Sequence, residues 1–414
     1  MTAALDALRA AVGADAVVEH DPVAVDGVSL TESLRPSSGE ALSAGLRLLS
    51  ERGMAALVCG GGSRLGQGNP LKRADLALEA TGLDGILELD AEDGVVHVRA
   101  GTEIAAVRES VRAEGWELPM DPPGAGTSVG GALASAAVGP RFGHPREIVL
   151  GLEDTLASGA RTRCGGRVVK NVTGYDLGKL YIGSFGSLGV IEAAWLRLHP
   201  LPERSVFLAA AVPDGAEGFE RALAAARRPS ARVAAHLDRA LAAAIDPTTA
   251  REGSVLLLEL AGNESLLEAD LRELVEETGA HEVDGVMIER LRGVQGGIFH
   301  PGGLRFRLSS LPSRVGEATQ ILARDGGAVL AYPARGLLYV RFPVGLSNDE
   351  SAVEAAERSA RLAAAASGGG YVIEDAPDWA KQGRDVFGDP GRLLPLFRAL
   401  KHQYDPKGVL NPGR

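Results

Sequence analysis

Cysteine is almost missing from this sequence: Cys59 and Cys164 are the only two in 414 residues. Two thiols cannot supply a disulfide framework or a zinc site. Long apolar runs are missing too. No stretch of about 18 apolar residues occurs, so nothing in the sequence reads as a membrane span. Nor is there an excess of base. Lys and Arg number 43 against 54 Asp and Glu, a net charge of -11, where a nucleic-acid surface would call for a basic stripe. The opening residues, MTAALDALRAAVGADAVVEHDP, carry acids and lack a basic start and a long apolar block, so they do not read as a signal peptide. These absences predict a soluble, cytoplasmic chain that reaches a membrane only through a partner.

What is present is a hydrophobic fraction of 45% and a length of 414 residues, enough for about two to three domains of roughly 150 residues. The helix expected over SSGEALSAGLRLLSERG has Leu42, Leu46 and Leu49 at helical spacing and stops at Gly53. MAALVCG follows as a buried strand, then a glycine loop, then the strands ADLALEA and GILELDAEDGVVHVRAG. EIAAVRESVRAEG reads as a helix, and a loop with a small-residue helix leads to a strand at Val149. Beyond Pro202 six strand-like segments alternate with four amphipathic helices, and VLAYPARGLLYV reads as a hairpin. That texture predicts an α+β module whose antiparallel sheet is covered on one face.

Three glycine-rich stretches stand out. In VCGGGSRLGQGNP the glycine spacing is wrong for a dinucleotide-binding fingerprint, and Pro70 and a strand follow where that motif needs a helix. No Lys-Ser or Lys-Thr pair follows, so it is no Walker loop. Two readings stand: successive backbone N–H groups forming an anion nest, with Arg64 adding charge, or a plain strand-to-strand connection. In DPPGAGTSVGGALAS, Thr127, Ser128 and Gly130-Gly131 could hold a phosphate or a flavin edge, or simply open a close-packed helix. In RVVKNVTGYDLGKLYIGSFGSLGVIEAAW, Gly174, Gly178, Gly183, Gly186 and Gly189 sit among apolar residues. Such a run suggests backbone held against something flat, either a strand or a cofactor.

Taken in order with FGHPREIVLGLE and the terminal DPKGVLNPGR, these stretches resemble the FAD-binding domain of the vanillyl-alcohol oxidase and p-cresol methylhydroxylase (PCMH) type. More narrowly, they resemble the FAD-binding E subunits of bacterial glycolate oxidases. The likeness covers about Arg35 to Pro200 and the last thirty residues. It implies an α+β fold with a two-lobed FAD domain built from both chain ends, residues 1–200 with lobes of about 1–92 and 93–200, and 384–414. An α/β cap over residues 201–383 is inserted between them. It implies FAD contacts at Gly60, Gly61, Gly62, Ser63, Arg64, Leu65, Pro122, Thr127, Ser128, Gly130, Gly131, Ser135, Gly143, Ile148, Gly189, Val190 and Asn411. The glycines would be needed because the flavin ring lies on them, and Lys170 and Asp176 would anchor the flavin loop.

Covalent attachment in relatives uses a His near the first loop, or a Cys. That loop has no His here, Cys59 reads as core and Cys164 as an exposed hairpin thiol, so non-covalent FAD is expected. The wider group's catalytic subunits carry a His-rich metal motif near the C-terminus. The eight histidines here include no pair at ligand spacing, so no metal site is expected, and the lone chain is not expected to turn over a hydroxy acid. The resemblance implies two partners, a paralogous catalytic flavoprotein and an iron–sulfur subunit. Substrate-site candidates on the strands FHPGGLRFRL and LLYVRFPV are Arg305, Arg341 and His300, with Arg307 and Tyr339 beside them. Arginine suits a 2-hydroxy acid's carboxylate, though a solvated strand face remains the alternative for each. Two rival functions stand beside the subunit: a free-standing flavin oxidase, and a structural subunit with FAD as a folding ligand.

Overall fold

The computed structural model describes residues 2–167, 176–246, 248–297, 303–343 and 349–414. It divides into two units, one of Met1–Val138, Gly143–Leu201 and Pro390–Arg414, the other of Gly139–Phe142 and Pro202–Asp389.

The first unit begins with a helix, Thr2–Val12, and a hairpin of β1 (Val17–Val25) and β2 (Val28–Leu34). The hairpin departs from the sequence reading, which placed no strand there. The helix Gly39–Arg52 follows. Ser38 caps it by accepting from the Ala41 amide at 3.1 Å, and Gly53 ends it at φ 65, a left-handed turn that glycine makes without Cβ strain. Leu42, Leu46 and Leu49 are fully buried on its inner face. β3 (Ala56–Cys59) and β4 (Leu76–Glu79) pair in parallel and complete a sheet ordered β1-β2-β4-β3.

The chain's last residues lie along the free edge of β3. The Ala56 amide donates to the Val409 carbonyl at 2.7 Å, and the Asn411 amide to that of Ala56 at 3.0 Å. Buried Asp405 fixes this tail. It accepts from the amides of Val409 and Leu410, both at 2.8 Å, and from Lys401 Nζ at 2.6 Å. Lys401 in turn donates to the carbonyls of Ser187 and Leu410. The Asp, Val, Leu and Asn of DPKGVLNPGR are thus the parts of a clasp.

The second sheet of this unit is antiparallel, with β5 (Ile86–Asp90), β6 (Val95–Arg99), β8 (Val149–Thr155), β9 (Arg161–Gly165) and β10 (Val190–Arg197) in the order β5-β6-β10-β8-β9. A short β7 (Trp116–Glu117) pairs separately with β11 (His199–Pro200). Helices Ile104–Ala113 and Val129–Ala134 bury Val107, Val111, Val129 and Leu133 against Val96, Val98, Ala194 and Leu196. Asp154 on β8 is fully buried, and burial first, then the charges of Glu192 and Glu153, push its carboxyl up to about 8. A raised acid favours the folded state at low pH, and that contribution is lost as pH rises from about 4 toward 8. Between pH 6.5 and 8 the slope is at most about 1.4 kcal/mol per pH unit. His236, held down to about 4 by burial, works the other way: its unfolded imidazole is about half protonated at pH 6.5 and neutral by pH 8, which offsets at most about 0.7 kcal/mol per pH unit of that slope. Asp154→Asn is therefore expected to flatten the fall in melting temperature from pH 6.5 to 8, as read by calorimetry.

The second unit is one antiparallel sheet ordered β15-β12-β14-β13-β17-β18-β16-β19. Its strands are β12 (Arg204–Val212), β13 (Ala231–Leu237), β14 (Ser254–Gly262), β15 (His281–Glu282), β16 (Leu304–Ser309), β17 (Ala328–Tyr332), β18 (Leu337–Phe342) and β19 (Gly370–Asp375). Helices Ala216–Ala225, Val315–Arg324 and Glu350–Ala366 cover one face, burying Phe219, Val315, Leu322 and Val353 against Phe306, Leu338 and Val340. The expectation of a single covered face needs correction. Helices Arg239–Ile245 and Val286–Gly296 pack on the other side, where Gln295 bridges the hydroxyls of Tyr332 and Tyr339 at 2.8 Å each. The Gly139–Phe142 segment is held within this unit. Arg335 donates to the carbonyls of Gly139 and Phe142, and Arg141 pairs with buried Glu259 at 2.6 Å.

Candidate functional site

β3 ends at Cys59, and Gly60 to Leu65 turn out of the sheet to form one wall of an open cleft enclosing about 730 Å³, counted out to bulk solvent. The opposite wall is Ser128, Gly130, Gly131 and Ser135, at the start and end of the helix Val129–Ala134. Phe185, Gly186, Gly189, Val190 and Ile191 close a third side. Thirteen of the residues expected from sequence thus meet in one place: Gly60 through Leu65, Ser128, Gly130, Gly131, Ser135, Gly189, Val190 and Asn411.

Four do not. Thr127 stands behind the wall, its hydroxyl 3.0 Å from Ser63 Oγ and 2.9 Å from the Gly124 carbonyl. Pro122 lies in the same buried loop, which Arg64 grips through the Pro123 carbonyl at 2.6 Å. Gly143 faces the Glu147 carboxylate, and Ile148 is 4% exposed in the core of the second sheet. These residues shape or support the cleft without lining it. Lys170 lies outside the described residues. Asp176 is exposed and pairs with Lys179 at 2.9 Å.

The reason for the glycines also needs correction. A Cβ on Gly60 would overlap Ser128 Oγ, and one on Gly61 would overlap the Gly126 carbonyl oxygen. A Cβ on Gly130 would stand 2.7 Å from that of Ala100, and one on Gly189 2.8 Å from the Tyr181 ring. Each glycine therefore lets two protein segments touch, and the cleft is what their contact leaves open. Within the first loop, the amides of Gly61, Gly62 and Ser63 meet no protein acceptor among the described residues. Three such donors at the mouth of a strand form a cradle for an anion. Among the described residues no carboxylate lines the cleft, so none of them repels one.

Sequence reasoning missed Val58, Ala80, Ala100, Ala134 and Arg414, while Phe185, Gly186 and Ile191 belong to the glycine-rich stretch it singled out. Arg414 is 4% exposed at its side chain and pairs with Asp26 at 2.9 Å, while donating to the carbonyls of Gln67 and Leu65. Asn411 lines the cleft but spends its amide on the protein. Its Oδ1 accepts from the Val58 amide at 2.8 Å, and its Nδ2 donates to the Phe185 carbonyl at 2.6 Å. Both Asn411 (φ 44) and Phe185 (φ 53) hold left-handed backbone, which asparagine tolerates but which costs a residue such as Phe185 about 1–2 kcal/mol. The clasp and the strand end together impose that strain on the cleft wall.

The cysteines differ from expectation. Cys59 lines the cleft and is only partly buried, yet burial first and the Glu79 charge second push its thiol up to about 12. Cys164 is also partly buried, 3.7 Å from the Leu152 carbonyl, and is pushed to about 11. Neither is poised as a thiolate nucleophile at neutral pH.

In the second unit, β16 and β18 place Arg305 opposite Arg341 and Arg307 opposite Tyr339. Arg305 is 7% exposed, which removes the solvated-strand reading for it. Arg305, Arg341 and Tyr339 line a narrow, open pocket of about 250 Å³, counted out to bulk solvent, with Leu241, Val294 and Leu330. Glu374 lies 2.7 Å from Arg307 and 3.6 Å from Arg305, so these cations are partly compensated. Burial first, then the neighbouring Arg305 charge, lowers the Arg341 pKa. Burial raises the Tyr339 hydroxyl well above its ordinary range, so it stays protonated. His300, the third candidate, lies outside the described residues. Among the described residues no three His, Cys, Asp or Glu side chains gather as a metal site.

Residues 33–165, from the end of β2 through β9, match the FAD binding domain family. The chain spreads over the whole of p-cresol methylhydroxylase, solved with substrate bound, at TM-score 0.73 and 16% identity, covering 100% of this chain and 96% of that one. Residues 33–165 are an FAD binding domain. Among curated proteins, the chain is 29% identical to glycolate oxidase subunit GlcE of Escherichia coli strain K12, over 80% of this chain and 84% of that protein. It is 27% identical to a D-lactate dehydrogenase of Archaeoglobus fulgidus, over 92% and 90%. The α+β architecture expected from sequence is the one observed. No helix among the described residues is long and apolar enough to cross a membrane.

Proposed function

We propose that this chain is the FAD-binding subunit of a glycolate oxidase-like dehydrogenase complex. The complex oxidises a 2-hydroxy acid to a 2-oxo acid and passes the electrons to an iron–sulfur partner in the cytoplasm, held near a membrane only through that partner. The observation that carries the reading is the cleft, where three unclaimed amides at a strand mouth face a space that no carboxylate among the described residues lines. Those amides, with Arg64, would hold the FAD pyrophosphate, each charged hydrogen bond contributing about 1.5–3 kcal/mol. FAD, when bound, supplies an acceptor for two electrons that can leave singly. The high thiol pKa of Cys59 and the lack of a His in Gly60–Leu65 support non-covalent binding.

In the second unit, Arg305 and Arg341 would clamp a substrate carboxylate, and Tyr339 would offer its proton toward it. Gln295 Nε2 donates to the Tyr339 oxygen at 2.8 Å, which leaves the tyrosine's own hydrogen free. His300 completes this set on sequence grounds. Likeness to proteins named as glycolate oxidase subunits supports a paralogous flavoprotein as partner, and the resemblance seen in the sequence implies an iron–sulfur chain beside it. The likeness to a D-lactate dehydrogenase over 92% of the chain favours the second reading, a flavin enzyme acting alone. Co-expression separates the two. The subunit reading expects the three chains to co-purify in fixed ratio through size exclusion, whereas elution of this chain alone, with full turnover, would support the second.

A further inference from the structure

The helix Leu394–Tyr404 is attached to its unit only near its end. Lys401 reaches the Ser187 carbonyl at 2.8 Å, and the rings of Tyr404 and Tyr181 meet edge to face at 6.1 Å. Ahead of that anchor, every residue from Gly391 to Ala399 is exposed except half-buried Leu394. Leu393, Leu396 and Phe397 are 54%, 54% and 49% exposed. With Leu400 they recur three and four residues apart, so they share one helical face. Single exposed leucines need no explanation, but a contiguous apolar stripe on a helix anchored by its last turn marks an interaction surface.

The charges around the stripe indicate what covers it. Pro390 through Tyr404 holds no Asp or Glu, while Arg392, Arg398 and His402 are exposed on it. This is a basic patch on a chain of net charge -11. A symmetric pairing would set two such helices, each with bases and no acid from Pro390 to Tyr404, against each other, which like-charge repulsion disfavours. An anionic bilayer would attract the patch but repel the strongly acidic remainder of the chain. We infer that this helix docks into an apolar groove rimmed by carboxylates on a second protein chain, and that this chain is the paralogous flavoprotein, a step that rests on the subunit reading above. Leu396 and Phe397 would be the buried anchors, and the arginines would pair across the rim.

The test uses the full chain co-expressed with the paralogous flavoprotein of the same genome. The double variant Leu396→Glu/Phe397→Glu is expected to weaken the complex at least about 100-fold, as for loss of central anchors. Its FAD content and melting temperature should match the wild type, since both side chains are exposed. Arg392→Glu/Arg398→Glu is expected to slow association about tenfold at low salt, with the difference shrinking as salt rises. If wild type and the Leu396/Phe397 variant bind the flavoprotein equally, the docking helix is wrong while the subunit reading survives. If the wild type does not bind it at all, both fall. Two further outcomes would overturn the choice of partner. One is a homodimer in sedimentation that the double variant abolishes. The other is flotation of the wild type, but not the variant, with phosphatidylglycerol vesicles.

Discussion

Gly61→Val is expected to fold and to purify colourless. The Cβ direction at Gly61 points straight into the Gly126 carbonyl oxygen, and a backbone atom cannot swing aside as a side-chain tip can. The first loop would have to lift away from the second, carrying the amides of Gly61, Gly62 and Ser63 out of register with any phosphate. Losing two or three charged hydrogen bonds at about 1.5–3 kcal/mol each weakens FAD binding by more than about 100-fold. The β3–β4 pairing, Ala56–Cys59 with Leu76–Glu79, does not include the loop between them, so circular dichroism should stay unchanged. Cys59→Ser, which lines the same cleft, is the control and should keep its flavin. A Gly61→Val protein that remains fully yellow would show that the loops are not the binding site.

The second large effect concerns turnover. Mixed anaerobically with glycolate or D-lactate, the lone chain is expected to reduce its flavin about 10²–10⁴-fold more slowly than the assembled complex. That range is the usual worth of a positioned general base, and none of the described residues lining the Arg305 cavity is a His or a carboxylate. Arg305, Arg341 and Tyr339 can bind and orient an anion, but at neutral pH none of them accepts a proton. Fast, stoichiometric bleaching of the lone chain would make Arg305, Arg341 and His300 a competent site and the free-standing oxidase the better reading.

Much of this was legible because local signals were strong. The capped helix at Ser38, the glycine loop after β3 and the hairpin of β17 and β18 are each written in contiguous residues. β13 was not legible. Its sequence, ARVAAHL, is alanine-rich and has weak strand propensity, and its place is imposed by β14 and β17 on either side. β1 was hidden because Val17 and Val25 are the only buried residues of nine, leaving no alternation to read. The cleft shows the same limit. Glycines announced that something comes close to the backbone, but whether it was a ring or another loop depended on contacts between segments far apart in sequence. Ala80, Ala100 and Arg414 reach the cleft through such contacts and carry no motif at all. Asn411 was found by its motif, yet its work is to tie Val58 to Phe185, a role that only the hydrogen bonds reveal.

The central claim, a non-covalent FAD held by this chain, is tested most directly by acid precipitation of the purified protein and quantification of the flavin released. About one FAD per chain in the supernatant, with a colourless pellet, is the predicted result. Flavin that stays with the denatured chain, or a protein that binds none when FAD is supplied, would contradict it.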